Sequence, residues 1–211
     1  MKSTQERFMD KFQNKYRIPS ARLQNWDYSS NAAYFVTICA YNRECYFGHV
    51  AEEKMVLSEI GKFVDSEWLK TFDIRKDMNL TMGEYVVMPN HFHAIIIIGK
   101  NEYNRGDAVR GGGGGGDAMH RRDAMHRVST NDKPANKFGP QSKNLASIIR
   151  GFKSAVTVHA RKIHADFAWQ SRFHDHIIRD DESFERILNY IRTNPSNWKE
   201  DRFTPDHSAV G

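Results

Sequence analysis

The sequence lacks the features of a secreted or membrane-spanning protein. Its 211 residues contain only two cysteines, Cys39 and Cys45, whose six-residue spacing fits neither a disulfide framework nor a metal-binding motif. No apolar run approaches the roughly 18 residues that a membrane span needs. The first stretch, MKSTQERFMDKF, has no apolar segment typical of a secretion signal. We therefore expect a reduced, cytoplasmic protein.

The charge is distributed unevenly along the chain. The formal net charge is +5, from 31 basic and 26 acidic residues. Positions 100–162 hold 13 Lys and Arg against 5 Asp and Glu, a local net charge of +8 that leaves −3 for the remainder. A basic middle segment favours a polyanionic partner, and a solvated basic loop is the alternative interpretation.

The composition predicts one main domain with extensions. Residues 1–27 are polar and basic and form a predicted N-terminal extension; residues 28–200 form the main domain and 201–211 a C-terminal tail. Within the main domain, residues 101–142 carry a six-glycine run and a ragged Asp-Ala-Met-His-Arg repeat. Such a segment has little to bury, so we predict a flexible insert whose residues 106–127 are disordered and dispensable for folding.

Hydrophobic periodicity predicts an α+β fold. Runs of β-branched and aromatic residues predict four strands, and apolar residues at helical spacing predict three helices. The strands span 34–41, 78–88, 91–98 and 167–179, and the helices span 56–72, 145–163 and 181–194. The order strand–helix–strand–strand–helix–strand is that of a ferredoxin-like split βαβ antiparallel sheet, here followed by an additional C-terminal helix.

Two histidines begin the most apolar predicted strand, in the sequence His91-Phe92-His93. A strand sends residues i and i+2 to the same face, so both imidazoles point one way and Phe92 points into the opposite layer. Two neighbouring imidazoles form half of a metal site. Ordinary core histidines would give the same pattern, and a second His-x-His at His174 and His176 shows how common it is.

The last predicted helix carries Tyr190 and Asn194, which lie about 40° apart around its axis on one flank of the apolar stripe. They are a boundary tyrosine and a C-cap amide on the simplest interpretation. If they approach the histidines, two imidazoles and one amide oxygen give three neutral ligands that leave a divalent ion open to a phosphate oxygen. A tyrosine hydroxyl beside that ion is a candidate nucleophile, although its ordinary pKa of about 10 requires a cation or a base nearby.

A row of basic residues follows one flank of the predicted helix 145–163. Arg150, Lys153 and Arg161 recur along this flank among hydroxyl side chains. The row suits contacts to the DNA backbone, and an ordinary solvated helix face is the alternative.

Four segments together resemble the REP-associated tyrosine transposases, within the single-tyrosine HUH transposases. They are RLQNWDYSSNAAYFVTICAYNR, YVVMPNHFHAIIII, LASIIRGFKSAVT and FHDHIIRDDESFERILNYIRTNP. The name HUH denotes histidine, a bulky apolar residue and histidine, which His91-Phe92-His93 matches. The long glycine-rich insert departs from the compact family pattern.

The resemblance implies a role for each matching residue. His91 and His93 match the metal-binding pair, Asn194 the position of the third ligand, and Tyr190 the nucleophile that forms a covalent 5′-phosphotyrosine. The resemblance implies a metal-dependent enzyme that nicks and rejoins single-stranded DNA near hairpins of repetitive extragenic palindromes. The implied metal ion is Mg²⁺ or Mn²⁺. The implied protein is cytoplasmic, associates with the nucleoid and is a monomer or homodimer. A catalytically silent DNA-binding derivative is the alternative. Paired His-x-Ser/Thr motifs of metal-independent phosphodiesterases are absent from the sequence.

Overall fold

A computed structural model describes residues 26–104 and 142–204, together with two short paired strands, β1 (Lys11–Phe12) and β2 (Lys15–Tyr16). Most of the predicted N-terminal extension 1–27 and of the insert 101–142, including residues 106–127, lies outside the described residues. So does the chain beyond Thr204. In the part of the chain that is described, no helix is both long and apolar enough to cross a membrane.

A four-stranded antiparallel sheet forms the centre of the fold. Its strands are β3 (Ala32–Cys39), β6 (Leu80–Val87), β7 (His91–Ile98) and β8 (His174–Ile178), in the spatial order β6-β7-β3-β8. This order confirms the predicted ferredoxin-like α+β fold and places β7 between two neighbours. The hairpin β4 (Gly48–Ala51) and β5 (Lys54–Leu57) lies outside the main sheet.

Three helices cover the two faces of this sheet. Helices α1 (Glu59–Asp73) and α2 (Leu145–Ile163) lie on one face, where Phe92 packs against Trp68 and Phe152 with ring centroids 5.0 and 5.4 Å apart. Helix α3 (Asp181–Thr193) lies on the other face, where Ile95 packs with Ile187 and Ile191. Because β7 is buried on both faces, its isoleucines are continuous in sequence rather than alternating with polar residues.

Two predicted boundaries were wrong for local reasons. The helix predicted from residue 56 begins at Glu59, because the Ser58 hydroxyl caps it by accepting a hydrogen bond from the Gly61 amide, and residues 54–57 form β5 instead. The strand predicted over 167–179 is confined to His174–Ile178, preceded by a single bridge between Trp169 and Ala40. Helix α2 has the predicted boundaries, and α3 begins at the predicted residue, where the Asp180 side chain caps it by accepting a hydrogen bond from the Ser183 amide.

Candidate active site

His91 and His93 lie side by side on the α3 face of the sheet. Both side chains are fully buried, and their ring centroids are 4.5 Å apart. They stand opposite Cys39 and Thr37 of β3 in the strand register. Phe92 points to the other layer, as the alternation of a strand requires. The structure thus places the imidazole pair as the sequence predicts.

Asn90 fixes the orientation and tautomer of His91. Its side-chain amide donates to the carbonyls of Arg43, at 2.9 Å, and Phe203, at 2.8 Å. Its oxygen lies 2.9 Å from Nδ1 of His91 and must therefore accept, so Nδ1 carries the proton. The remaining lone pair is on Nε2 of His91, a buried atom without a hydrogen-bond partner among the described residues. An imidazole held in this way presents a free ligand atom.

His93 is held by a second set of contacts. Its Nδ1 lies 2.8 Å from the Thr37 hydroxyl, and Phe35 stacks on its ring at 5.3 Å between centroids. Its Nε2 lies 3.2 Å from the hydroxyl of Tyr190. The strand histidine and the helix tyrosine, 97 residues apart in sequence, are therefore in direct contact.

Burial keeps both imidazoles neutral. Burial lowers the pKa of His91 to about 3, an effect reinforced by the positive charges of Arg202 and Arg43. Burial also holds the pKa of His93 well below its usual value, with His91 as a further contributor. Neutral imidazoles are the form that binds metal ions, so protons do not compete for this pair near neutral pH.

Asn194 brings a second unpartnered acceptor to His91. It is the C-cap residue of α3 and is 2% exposed. Its Nδ2 donates to Asp201 Oδ2 at 3.1 Å, whereas its Oδ1 is buried without a hydrogen-bond partner in the described chain. The Asn194 side chain is close enough to His91 to stabilise a protonated imidazole. Nε2 of His91 and Oδ1 of Asn194 are therefore two buried atoms with free lone pairs and no proton between them. A bound cation would interact favourably with both.

Asp201 adds a carboxylate that the sequence analysis did not identify. One ligand atom from each of His91, His93 and Asp201 lies within 4.8 Å of the others, so this group could hold a metal ion. The amide of Phe203 donates to Asp201 Oδ1 at 2.7 Å and fixes the carboxylate, and Phe203 itself packs against His91 at 4.5 Å between ring centroids. Residues 201–204, assigned to the tail in sequence, therefore contribute to the site. The acidic residues shortly after Pro195 were the available signal.

Tyr190 lies at the entrance of the site and is 39% exposed. Partial burial raises the pKa of its hydroxyl, and the nearby negative charge of Asp201 raises it further. The hydroxyl is consequently protonated at neutral pH in this environment. A positive charge among the candidate ligands would act in the opposite direction and favour the phenolate.

The predicted DNA-binding row is remote from this site. Arg150, Lys153 and Arg161 are on α2, which covers the opposite face of the sheet. Lys153 donates to the Gln170 carbonyl at 2.6 Å and Arg161 to the Phe167 carbonyl at 3.0 Å, so both secure the loop after α2. Their contact with DNA stays a prediction.

Comparison with known proteins extends this description. An uncharacterised protein of Haemophilus influenzae is 33% identical over 188 residues, which cover 89% of this chain and 93% of that protein. The solved structure of a REP-associated tyrosine transposase bound to a REP hairpin is similar with a TM-score of 0.51 and 18% identity, covering 85% of this chain and 74% of that one. At that identity the likeness shows a shared fold. No family model matches the sequence.

Proposed function

We propose that this chain is a metal-dependent enzyme that nicks and rejoins single-stranded DNA. The chain belongs to one family with the Haemophilus influenzae protein and has the fold of a REP-associated tyrosine transposase. The observation that carries the proposal is the contact between Tyr190 and His93, at 3.2 Å, beside the unpartnered Nε2 of His91. A nucleophile, a pair of neutral imidazoles and a carboxylate meet at one surface-accessible point.

The donor set fits a divalent cation. His91, His93 and Asp201 supply two nitrogens and a carboxylate, and Asn194 supplies an amide oxygen. Carboxylate and amide oxygens suit Mg²⁺ and Mn²⁺ alike, and the two imidazoles favour Mn²⁺ over Mg²⁺ in intrinsic affinity. Bound there, the ion would supply positive charge that polarises a phosphoryl oxygen and favours the ionised tyrosine.

Tyr190 is the proposed nucleophile. Its oxygen forms a bond to phosphorus while the bond from phosphorus to the 3′ oxygen breaks, giving a 5′-phosphotyrosine and a free 3′-hydroxyl. Asp201, whose carboxylate is near enough to raise the pKa of the tyrosine hydroxyl, is the proposed acceptor of the tyrosine proton. The departing 3′ oxygen takes up one proton, so the step is balanced. Attack by that hydroxyl on the phosphotyrosine reverses the chemistry and rejoins a strand.

The proposed substrate is single-stranded DNA that carries a hairpin of the repetitive extragenic palindrome type. Support comes from the structural neighbour, which was crystallised with a REP hairpin, and from the sequence resemblance. The basic middle segment of the chain is consistent with a polyanionic substrate. We further propose a cytoplasmic protein that acts at the nucleoid as a monomer or homodimer.

Incubation with hairpin-bearing single-stranded DNA tests this function. With Mn²⁺ or Mg²⁺ we expect a covalent protein–DNA adduct that survives a denaturing gel. A label at the 3′ end of the DNA should move with the protein, whereas a label at the 5′ end should leave on the released fragment, because the tyrosine joins the 5′ phosphate of the downstream fragment. Chelation of divalent ions should abolish the adduct. Binding of the hairpin without any adduct, across several metal ions and flanking sequences, would favour a catalytically silent DNA-binding protein instead.

Substitutions at two positions separate the two candidates for the third ligand. Asp201→Asn removes a charged oxygen ligand, so we expect roughly 10- to 100-fold weaker Mn²⁺ affinity. Asn194→Ala removes a neutral oxygen and should weaken binding less; Asn194→Gln keeps the amide and should restore part of the loss. Calorimetric titration with Mn²⁺ measures both effects without reference to cleavage. Equal affinities in Asp201→Asn and the wild type would remove Asp201 from the ligand set.

A further inference from the structure

Two depressions open beside Tyr190 and differ in charge. One, of about 540 Å³, is lined by Tyr190 and Asn194 and by the acidic Glu200 and Asp201. The other, of about 340 Å³, is lined by two arginines, Arg43 and Arg202, against one acidic residue, Asp175; we call it the basic cleft. Its remaining walls are Phe35, Thr37, His174, His176 and Phe203. Phe35 and Arg202 border both depressions, so the two are adjacent.

The arginines of the basic cleft are held in position by protein contacts. Arg43 donates from Nη1 to the carbonyl of Arg202 at 2.8 Å. The guanidinium carbons of Arg43 and Arg202 lie 5.4 and 4.7 Å from the ring centroid of Phe203. Both side chains are exposed, and neither arginine forms an ion pair with a carboxylate among the described residues. Two cations held by protein contacts, with no carboxylate at ion-pair distance among the described residues, form a site for an external anion.

The turn that presents Arg43 is conformationally unusual. Asn42 and Arg43 have φ values of 52° and 57°, in the left-handed region that non-glycine residues rarely adopt. The hydrogen bond from the Asn90 amide to the Arg43 carbonyl secures this conformation. The same amide secures Phe203 and orients His91, so a single residue fixes the cleft relative to the candidate metal ligands. Backbone strain of this kind concentrates at functional positions.

The histidines of the second His-x-His motif complete the cleft. In the strand register Thr37 faces His174 and Phe35 faces His176, so both histidines project from the site face of the sheet. Within the described chain, β8 pairs only with β3 and forms an edge of the sheet. Flat rings and nitrogen donors at such an edge can contact a nucleobase.

We propose that the basic cleft binds the nucleotide next to the phosphate that Tyr190 attacks, with a phosphate held by Arg43 and Arg202 and the base against Phe35, His174 and His176. Its volume lies at the low end of the range for small-ligand pockets and suits one nucleotide. The acidic depression repels a second phosphate unless a cation is bound, which directs the incoming strand to the basic side. The position of the attacked phosphate rests on the proposed function; the anion site does not.

The salt dependence of DNA binding tests the arginine pair. We would measure the dissociation constant of a fluorescein-labelled hairpin with oligothymidine flanks, in chelator, so that no cleavage intervenes. Arg43→Ala and Arg202→Ala should each weaken binding several-fold and reduce the slope of log K against log salt by roughly 0.7, the value for one phosphate of a single strand. Arg43→Lys and Arg202→Lys should retain the slope, which separates lost charge from misfolding.

Lys62→Ala is the matched control, because Lys62 is an exposed cation on α1, on the other face of the sheet. It should keep the wild-type slope, whereas Arg150→Ala in the same series examines the predicted row on α2. A second series of labelled hairpins replaces one flanking nucleotide at a time with an abasic one. The wild-type protein should bind one member of this series more weakly than the others. The double variant His174→Ala/His176→Ala should bind all members alike.

The outcomes distinguish the cleft from the enzyme activity. Wild-type slopes in both arginine-to-alanine variants, or an equal reduction in Lys62→Ala, would overturn the basic cleft even if the covalent adduct forms. Altered slopes together with a position-specific abasic effect would support the cleft even if no adduct is found, in which case only the proposed nicking activity fails.

Discussion

Replacement of Tyr190 with phenylalanine is expected to abolish the covalent protein–DNA adduct while leaving hairpin binding close to the wild-type level. The change removes one oxygen and keeps the ring, which packs edge-to-face against Phe35 at 6.1 Å and against His93 at 5.2 Å. The hydrogen bond between this hydroxyl and His93 is long, at 3.2 Å, so stability should change by no more than about 1 kcal/mol. Among the described residues no other hydroxyl contacts Nε2 of His93, since the buried Thr37 hydroxyl contacts Nδ1 on the other side of the ring.

Tyr103→Phe is the matched control for this experiment. Tyr103 is also 39% exposed, and its hydroxyl donates to Asp77 at 2.8 Å, at a place unrelated to the histidine pair. We expect wild-type adduct yield from it. Cleavage by Tyr190→Phe at the wild-type rate without an adduct would show that water is the nucleophile. A persistent adduct would require a different residue, which peptide mapping of the DNA-linked fragment would identify.

The sequence was sufficient for the fold because its strongest signals are local. The apolar run after His93 and the helical spacing of α2 and α3 each act within one element, and the structure has all three elements. The start of α1 was mispredicted because Val56 and Leu57 fit a helical stripe equally well. Only the Ser58 cap and the pairing of β5 with β4 decide between the two.

The pairing of His93 with Tyr190 was predictable only after the topology was assigned. Strand alternation gives the direction of the histidine, and helix geometry gives the flank of the tyrosine. Their meeting requires α3 to cover the same face of the sheet as His93, which the ferredoxin-like order supplies. The basic row on α2 shows the limit of this reasoning, because charge spacing identifies a helix flank but not the layer in which the helix lies.

The contacts that complete the site join distant parts of the chain. Asn90 reaches carbonyls 47 and 113 residues away, and Arg43 reaches a carbonyl 159 residues away. Such hydrogen bonds leave no periodic signature in the sequence. Asn90 follows Pro89, a combination typical of turns, and Asp201 falls in the predicted C-terminal tail. Both acquire their positions from tertiary structure alone.

Metal-free protein is expected to lose stability steeply as the pH falls from 7 to 5, because the buried imidazoles must remain neutral in the folded state. Burial lowers the pKa of His91 to about 3 and that of His93 well below its usual value. In the unfolded chain each histidine binds a proton near pH 6.5. The unfolded state therefore binds more protons below that pH, and the free energy of unfolding falls with decreasing pH until the folded-state pKa is reached.

The expected loss between pH 7 and 5 is about 2 kcal/mol for each buried histidine, or roughly 4 kcal/mol for the pair. Urea unfolding in the presence of chelator, followed by circular dichroism at half-unit pH steps, measures it. His91→Asn removes one titrating group and should reduce the pH slope by about half, whatever its effect on absolute stability. His49→Asn, at an exposed position on β4, is the matched control and should retain the wild-type slope. A wild-type free energy of unfolding that is constant from pH 7 to 5 would show that the imidazole pair is not held neutral by burial, and its readiness to bind a metal ion would need another explanation.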